Sequence, residues 1–295
     1  MIENTGNMAD LILCILFTTS IFVTFKQLDR YKADVFSVIV VNYLVAAALG
    51  FWLSPSAILL KEVVSSSWFS MSMGIGLLFI LNFFLIGHSS AKAGITATTI
   101  ASKMSMVVPI LFSMFYFQEK VSFGKITGTA MACVAVVLTI TKNHPVKMDF
   151  LKWILPVAIF FGTGITDAAI KYAQHHYVGN GDTLQFSFFL FMASAAIALG
   201  IAFFRKSSFR KFFHPSVLLG GSILGAVNFS SLYFFIRALN NSGLDSSVVF
   251  GIANMSIVTL SVLAGLFLFR EKMTKLNWTG ILLSLISIFI LLNTR

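Results

Sequence analysis

Stretches of mostly apolar residues, each near the length a helix needs to cross hydrocarbon, follow one another through this chain with short connections between them. Ten can be marked out, over 10–28, 35–54, 68–88, 95–117, 122–141, 153–174, 183–204, 216–238, 245–269 and 276–293. A helix rises about 1.5 Å per residue, so roughly 20 residues cover a hydrocarbon core. Inside that core every backbone N–H and C=O must be satisfied by the protein itself, which leaves helices or a closed barrel. The runs are too long and too continuously apolar for the alternating strands of about ten residues that build barrels. The expected fold is an all-α membrane protein with ten transmembrane helices and almost no chain left over for a soluble domain.

Charge agrees with this. Only 11% of the 295 residues are charged and 57% are hydrophobic, where a soluble domain carries about 25% charged residues. The net charge of +10 sits at the ends of the runs and in short loops rather than on one folded face. It therefore points to lipid head groups and topology, not to nucleic acid. The segment ahead of the first run holds Glu3 and Asp10 and no Lys or Arg, so it does not read as a cleavable signal peptide. Cys14 and Cys133 fall inside spans as small packing residues, leaving no disulfide framework. His88, His144, His175, His176 and His214 lie in loops or at span ends, without an HExxH pair. The neighbours His175 and His176 point in different directions on a helix. No catalytic residue, metal site or cofactor is expected, and no GxxxxGK[ST] loop would let ATP drive the protein directly.

The chain also repeats itself. "FQEKVSFGKITG" from Phe117 aligns without a gap on "FREKMTKLNWTG" from Phe269, pairing Glu119 with Glu271, Lys120 with Lys272, Thr127 with Thr279 and Gly128 with Gly280. "NFFLIGHSSAKAG" from Asn82 resembles "NFSSLYFFIRALNNSG" from Asn228 if three residues are inserted, and Lys26 and Lys171 close similar segments in the first and sixth spans. The matches keep one order at spacings near 150 residues, so residues 1–145 and 146–295 read as two five-helix repeats. Five is odd, so the second repeat enters the membrane with the opposite sense. Inverted repeats of this kind are a mark of secondary transporters, whose sites lie near the midplane between the repeats.

The arrangement now resembles a known family. Gly94-Ile95-Thr96-Ala97 opens the fourth span, Pro109 lies within it, Glu119-Lys120 follow it, and the fifth span carries Gly128. A ten-span chain built this way resembles EamA-type transporters of the drug/metabolite transporter superfamily. It departs from that pattern in lacking Trp-Gly in the first span and in having Ser261 where Pro109 stands in the other repeat. The resemblance implies export of amino acids or other small metabolites, a bacterial inner (plasma) membrane location, and cytoplasmic termini. With the termini in the cytoplasm, however, Lys61, Lys120, Lys125, Lys171, Arg237 and Arg295 face inward and the larger share of basic residues faces out. The positive-inside rule alone puts the termini outside.

Within the spans, polar residues mark where a solute could bind. Lys103 lies roughly 13 Å into the fourth span by helix rise. A lysine at that depth costs about 2.5–3.5 kcal/mol unless a partner or a wet cavity receives it. It could hold an anionic substrate group or pair with a carboxylate. Asp167 is the acidic residue placed clearly within a span; Lys171, four residues on, offers a local ion pair. Asn82, Asn228, Asn254, Thr163 and Tyr233 are uncharged candidates for the same cavity, although amides in bundles often only tie helices together. Pro109 lacks a donor and would bend or open its helix. Glu119 and Glu271 at span ends are expected to pair with Lys120 and Lys272 in solvent. The GxxxG pairs Gly221/Gly225 and Gly124/Gly128 suit close helix packing within the chain, or a homodimer interface.

The reading that joins these features is a secondary transporter, exporting a small organic metabolite such as an amino acid by alternating access. It would lie in the lipid bilayer, act as a monomer or homodimer, and be coupled to a proton or a sodium ion. A non-transporting membrane receptor or assembly subunit is the alternative, and it would tolerate neutral substitutions at Lys103.

Overall fold

The computed structural model describes residues 3–30, 33–54, 64–92, 95–140, 150–179, 181–204, 209–270 and 273–293. Among these residues the structure is helical and has no strand. The helices are α1 (Glu3–Arg30), α2 (Val35–Leu53), α3 (Phe69–Lys92), α4 (Ile95–Met104), α5 (Val107–Tyr116), α6 (Phe123–Ile140), α7 (Phe150–His176), α8 (Thr183–Phe204), α9 (Phe209–Phe212), α10 (Pro215–Asn241), α11 (Ser246–Phe269) and α12 (Lys275–Asn293). Among the described residues nine stretches are long and apolar enough to cross a membrane, and α6 is a shorter apolar helix at the place of the expected fifth span. Bulky apolar side chains such as Phe115, Phe123 and Phe204 are exposed, as suits a surface solvated by lipid.

One expectation needs correction. The run 95–117 is not one helix but two, because the chain turns at Ser105–Met106 between α4 and α5. The physical reason lies four residues downstream of Ser105. Pro109 has no N–H to give the Ser105 carbonyl, which accepts from Val108 N at 2.9 Å instead.

Two compact units divide the helices, and each draws on both halves of the sequence. The first comprises Met1–Ile80 with Tyr172–Ser242; the second comprises Leu81–Lys171 with Gly243–Arg295. In the first unit α10 packs against α1 and α2, and α2 packs against α8. A Cβ on Gly221 would stand 2.6 Å from the Val41 Cβ, and one on Gly225 would stand 2.7 Å from the Asn42 carbonyl oxygen. This GxxxG pair thus brings α10 and α2 together inside the chain, over a core of Leu28, Val38, Val41, Val217 and Leu224. The start of α2 is fixed by Asp34, whose side chain accepts from Ser37 N at 3.0 Å and Ser37 Oγ at 2.6 Å.

In the second unit α6 packs along α12, and α11 lies against α5, α6 and α12. Ser287 Oγ donates to the Gly128 carbonyl at 2.8 Å, and Asn277 Nδ2 donates to the carbonyls of Leu138 (3.2 Å) and Thr139 (2.9 Å). Gly128 meets Leu291 while Gly280 meets Thr139. The register that aligns Glu119 with Glu271 also aligns Gly128 with Gly280 and Thr139 with Leu291, so the two contacts are mates. The same register joins Gln118 (φ 51°) to Arg270 (φ 52°), the non-glycine residues with left-handed backbone among those described.

Candidate functional site

A helix broken inside a membrane span leaves main-chain groups that the regular ladder would have used. The break falls near the centre of the span Thr98–Tyr116. The main-chain bonds across it run from Ser105 N to Ala101 O (3.1 Å), Met106 N to Lys103 O (3.4 Å), Val108 N to Ser105 O, and Ile110 N to Met106 O (3.1 Å). Neither the Met104 carbonyl nor the Val107 N–H takes part in these. Ser105 Oγ turns back onto the Ser102 carbonyl at 2.5 Å. Irregular backbone at membrane depth is tolerated where it is buried in protein or lines a cavity, and broken helices commonly build transporter sites.

Lys103 stands in the last turn of α4, where a cation also meets the negative end of the half-helix dipole. It is half-buried, and it acts electrostatically on Asp167 of α7. The charge acting on Asp167 thus comes from a different helix and not from Lys171 on its own helix. Gly164 explains how α7 gets so near the break. A Cβ there would stand 2.6 Å from the Val108 Cβ and 3.0 Å from the Ser105 carbonyl oxygen. Asp167 follows Gly164 by about one turn on the same face.

The remaining sequence candidates divide between the units. In the second, Asn82 on α3 donates through Nδ2 to the Gly162 carbonyl (3.0 Å) and to Thr166 Oγ1 (2.7 Å). It ties α3 to α7 at Thr166, the residue before Asp167. Thr163 Oγ1 donates to its own helix at Ile159 O (2.5 Å), and Asn254 Nδ2 does the same at Phe250 O (3.1 Å). Pro109 is buried at the start of α5. In the first unit, Asn228 Nδ2 donates to Asn42 Oδ1 at 3.2 Å, and Tyr233 Oη accepts from Arg237 Nη1 at 3.1 Å.

Two charged groupings were missed by sequence reasoning. Glu119 does not simply pair with Lys120 in solvent. Its carboxylate accepts from Ser246 N at 2.8 Å, from Ser247 N at 3.2 Å and from Ser247 Oγ, closing the N-terminus of α11 where a negative charge is favoured. Lys125, buried on α6, bonds Asp245 and stands 3.8 Å from Glu119. Lys171 lies with its ammonium 5.1 Å from the Phe117 ring centre. The signal available in the sequence was Gln118-Glu119 closing a helix three residues before Ser122. The repeat mates Glu271 and Lys272, and also His144 and Lys61, lie outside the described residues. The second grouping is Asp10 with Arg237. Asp10 is not ahead of the first span but inside α1, buried, and its Oδ2 accepts from Arg237 Nε at 3.1 Å. A helix that starts at Glu3 carries Asp10 two turns in.

These helices make the chain an integral membrane protein, with a polar break inside one span. Residues 151–293 match the model of the EamA-like transporter family. That stretch is similar to EamA-type transporters, which fits a solute carrier rather than an enzyme. A Haemophilus influenzae protein known only as uncharacterized is 27% identical over 290 residues, covering 96% of this chain and 97% of its own. The fold is also similar to that of a solved crystal structure, with a TM-score of 0.77 over 97% of this chain and 96% of the other, at 14% identity.

Proposed function

We propose that the protein is a secondary transporter exporting a small organic metabolite, of which an amino acid is the representative, by alternating access around a midplane site. The observation that carries this is Lys103 at the end of a half-helix, beside an open break, facing Asp167 of α7. A zwitterionic solute would give its carboxylate to Lys103 and the Val107 N–H, and its ammonium to Asp167 and the Met104 carbonyl. Asn82 holds α7 in place behind Asp167. The two-repeat layout is supported by the mated left-handed residues Gln118 and Arg270 and by the mated contacts Gly128–Leu291 and Gly280–Thr139. One repeat rocking against the other would expose the site to each side in turn, with a proton or sodium ion as the driving partner.

The test is a metabolite screen by thermal stabilisation of purified wild type beside Lys103→Gln, followed by radiolabelled flux in liposomes. A binding solute raises the melting temperature. Wild type should respond to an anionic or zwitterionic solute and carry it across the membrane, and Lys103→Gln should lose both. A variant that binds and carries the same solutes as wild type removes Lys103 from the site. Wild type that binds a solute without flux favours a receptor.

A further inference from the structure

The first unit holds a charged grouping that neither the family match nor the site at the helix break uses. Tyr233, Arg237 and Asn240 recur along α10 at helical spacing and share one face. Arg237 donates Nε to Asp10 Oδ2 and one Nη1 hydrogen to Tyr233 Oη. Its guanidinium also lies 5.6 Å over the Tyr233 ring, which stacks on Phe229. These contacts hold the planar fork in one orientation without filling it, since among the described residues nothing accepts from Nη2. The Arg237 side chain is 40% exposed, while the Asp10 side chain is 7% exposed.

One turn further on, Asn240 Oδ1 is engaged by Gln174 Nε2, but Asn240 Nδ2 is buried with no partner among the described residues. Buried polar groups in folded proteins nearly always have a partner, and each exception calls for an unseen water or ligand. Two unfilled donors on neighbouring turns ask for an acceptor-only group. An oriented guanidinium edge fits a carboxylate best, because two parallel N–H bonds match its two oxygens. Next to Tyr233 lies the stacked pair Phe17 and Phe234, with Phe234 set edge-on to Tyr233. That surface suits an apolar body rather than a second charge.

We propose that Arg237 and Asn240, with Arg237 oriented by Asp10 and Tyr233, form a binding site for an organic carboxylate in the first unit, its body against Phe17 and Phe234. Arg237 supplies the charge and the fork, and Asn240 a neutral donor. Asp10 keeps the unoccupied site neutral, so the arginine is tolerated inside the span without a ligand. The site stands apart from the reading of Lys103, and either can fail without the other.

The test uses the purified full chain with phenylacetate, succinate and acetate as probes and phenylethylamine as the cationic control. Phenylacetate should stabilise wild type saturably and succinate and acetate less, while phenylethylamine should not. Arg237→Lys, which retains the charge but loses the fork, should need at least about tenfold more phenylacetate. Equal responses of wild type and Arg237→Lys overturn the proposal. Phenylglyoxal labelling of wild type, read by mass spectrometry, gives a second answer that needs no variant to fold. Phenylacetate should slow modification of Arg237, and unchanged rates with all three carboxylates would again overturn it.

Discussion

Adding one methyl group at Gly164 tests whether the approach of α7 to the broken helix is as tight as the geometry requires. The new Cβ of Gly164→Ala would stand 2.6 Å from the Val108 Cβ, 2.7 Å from its Cγ2 and 3.0 Å from the Ser105 carbonyl oxygen. Carbon atoms rest about 3.5–4.0 Å apart, so α7 must move outward by about an ångström or α5 must yield. Neither obstacle can rotate away, because one is main chain and the other a β-branched side chain with a stiff χ1. The cost should fall in the upper part of the roughly 1–3 kcal/mol typical of overpacking. Alanine returns up to about 1 kcal/mol of helix propensity over glycine, which leaves a net loss of about 1–2 kcal/mol. Gly200→Ala in α8 is the control, since a Cβ there meets nothing within 4 Å and only the propensity gain remains. Chemical denaturation of both variants in the same detergent, followed by helix circular dichroism, reads the difference. Gly164→Ala should be the less stable by about 2–3 kcal/mol once the control's gain is counted. The same shift should pull Asp167 from Lys103 and weaken solute binding. If Gly164→Ala matches Gly200→Ala in stability, the close approach of α7 to the break is wrong.

Other perturbations read other parts of the structure. Glu119→Ala removes the acceptor for Ser246 N, Ser247 N and Ser247 Oγ and should cost about 1–3 kcal/mol. Hydrogen exchange should rise at Ser246–Val249 first, and unchanged protection there would show that the cap contributes nothing. Lys125→Met should be tolerated better in Glu119→Ala than alone, because the two charges face each other at 3.8 Å; a double-mutant cycle with no coupling would contradict this. Asn82→Leu breaks the tie to Gly162 and Thr166 and should cost about 0.6–1.7 kcal/mol, the range for such bonds in membranes, measured by the same denaturation. Gly225→Val should force α10 from α2 and destabilise the fold more than Gly74→Val on α3, where a Cβ meets nothing within 4 Å.

The broken helix shows how much of the candidate site was legible beforehand. Lys103 and Pro109 stood out in the sequence because a charge and a missing donor are costly in hydrocarbon wherever the chain goes. Where the chain would turn was not legible, since a proline can bend a helix smoothly as well as break it. Asp167 stood out by scarcity, yet the approach that brings its helix to the break depends on Gly164, some 60 residues away from Lys103. Glu119 was misread for the opposite reason. Its neighbour Lys120 was visible in the sequence, while Ser246 and Ser247, more than 120 residues on, were not.

By itself, the sequence determined that this chain lives in a bilayer as helices, because its backbone groups must be satisfied by the protein there and its apolar runs are too long and continuous for barrel strands. It also carried the matched segments around Glu119-Lys120 and Glu271-Lys272, which align without a gap. The tertiary structure decided the partners. Asp10 found Arg237, Glu119 found the first amides of α11, and each compact unit took helices from both halves of the chain. Local bonding settles what is a helix, but which charges meet depends on which helices pack, and that is fixed by contacts between residues far apart in sequence.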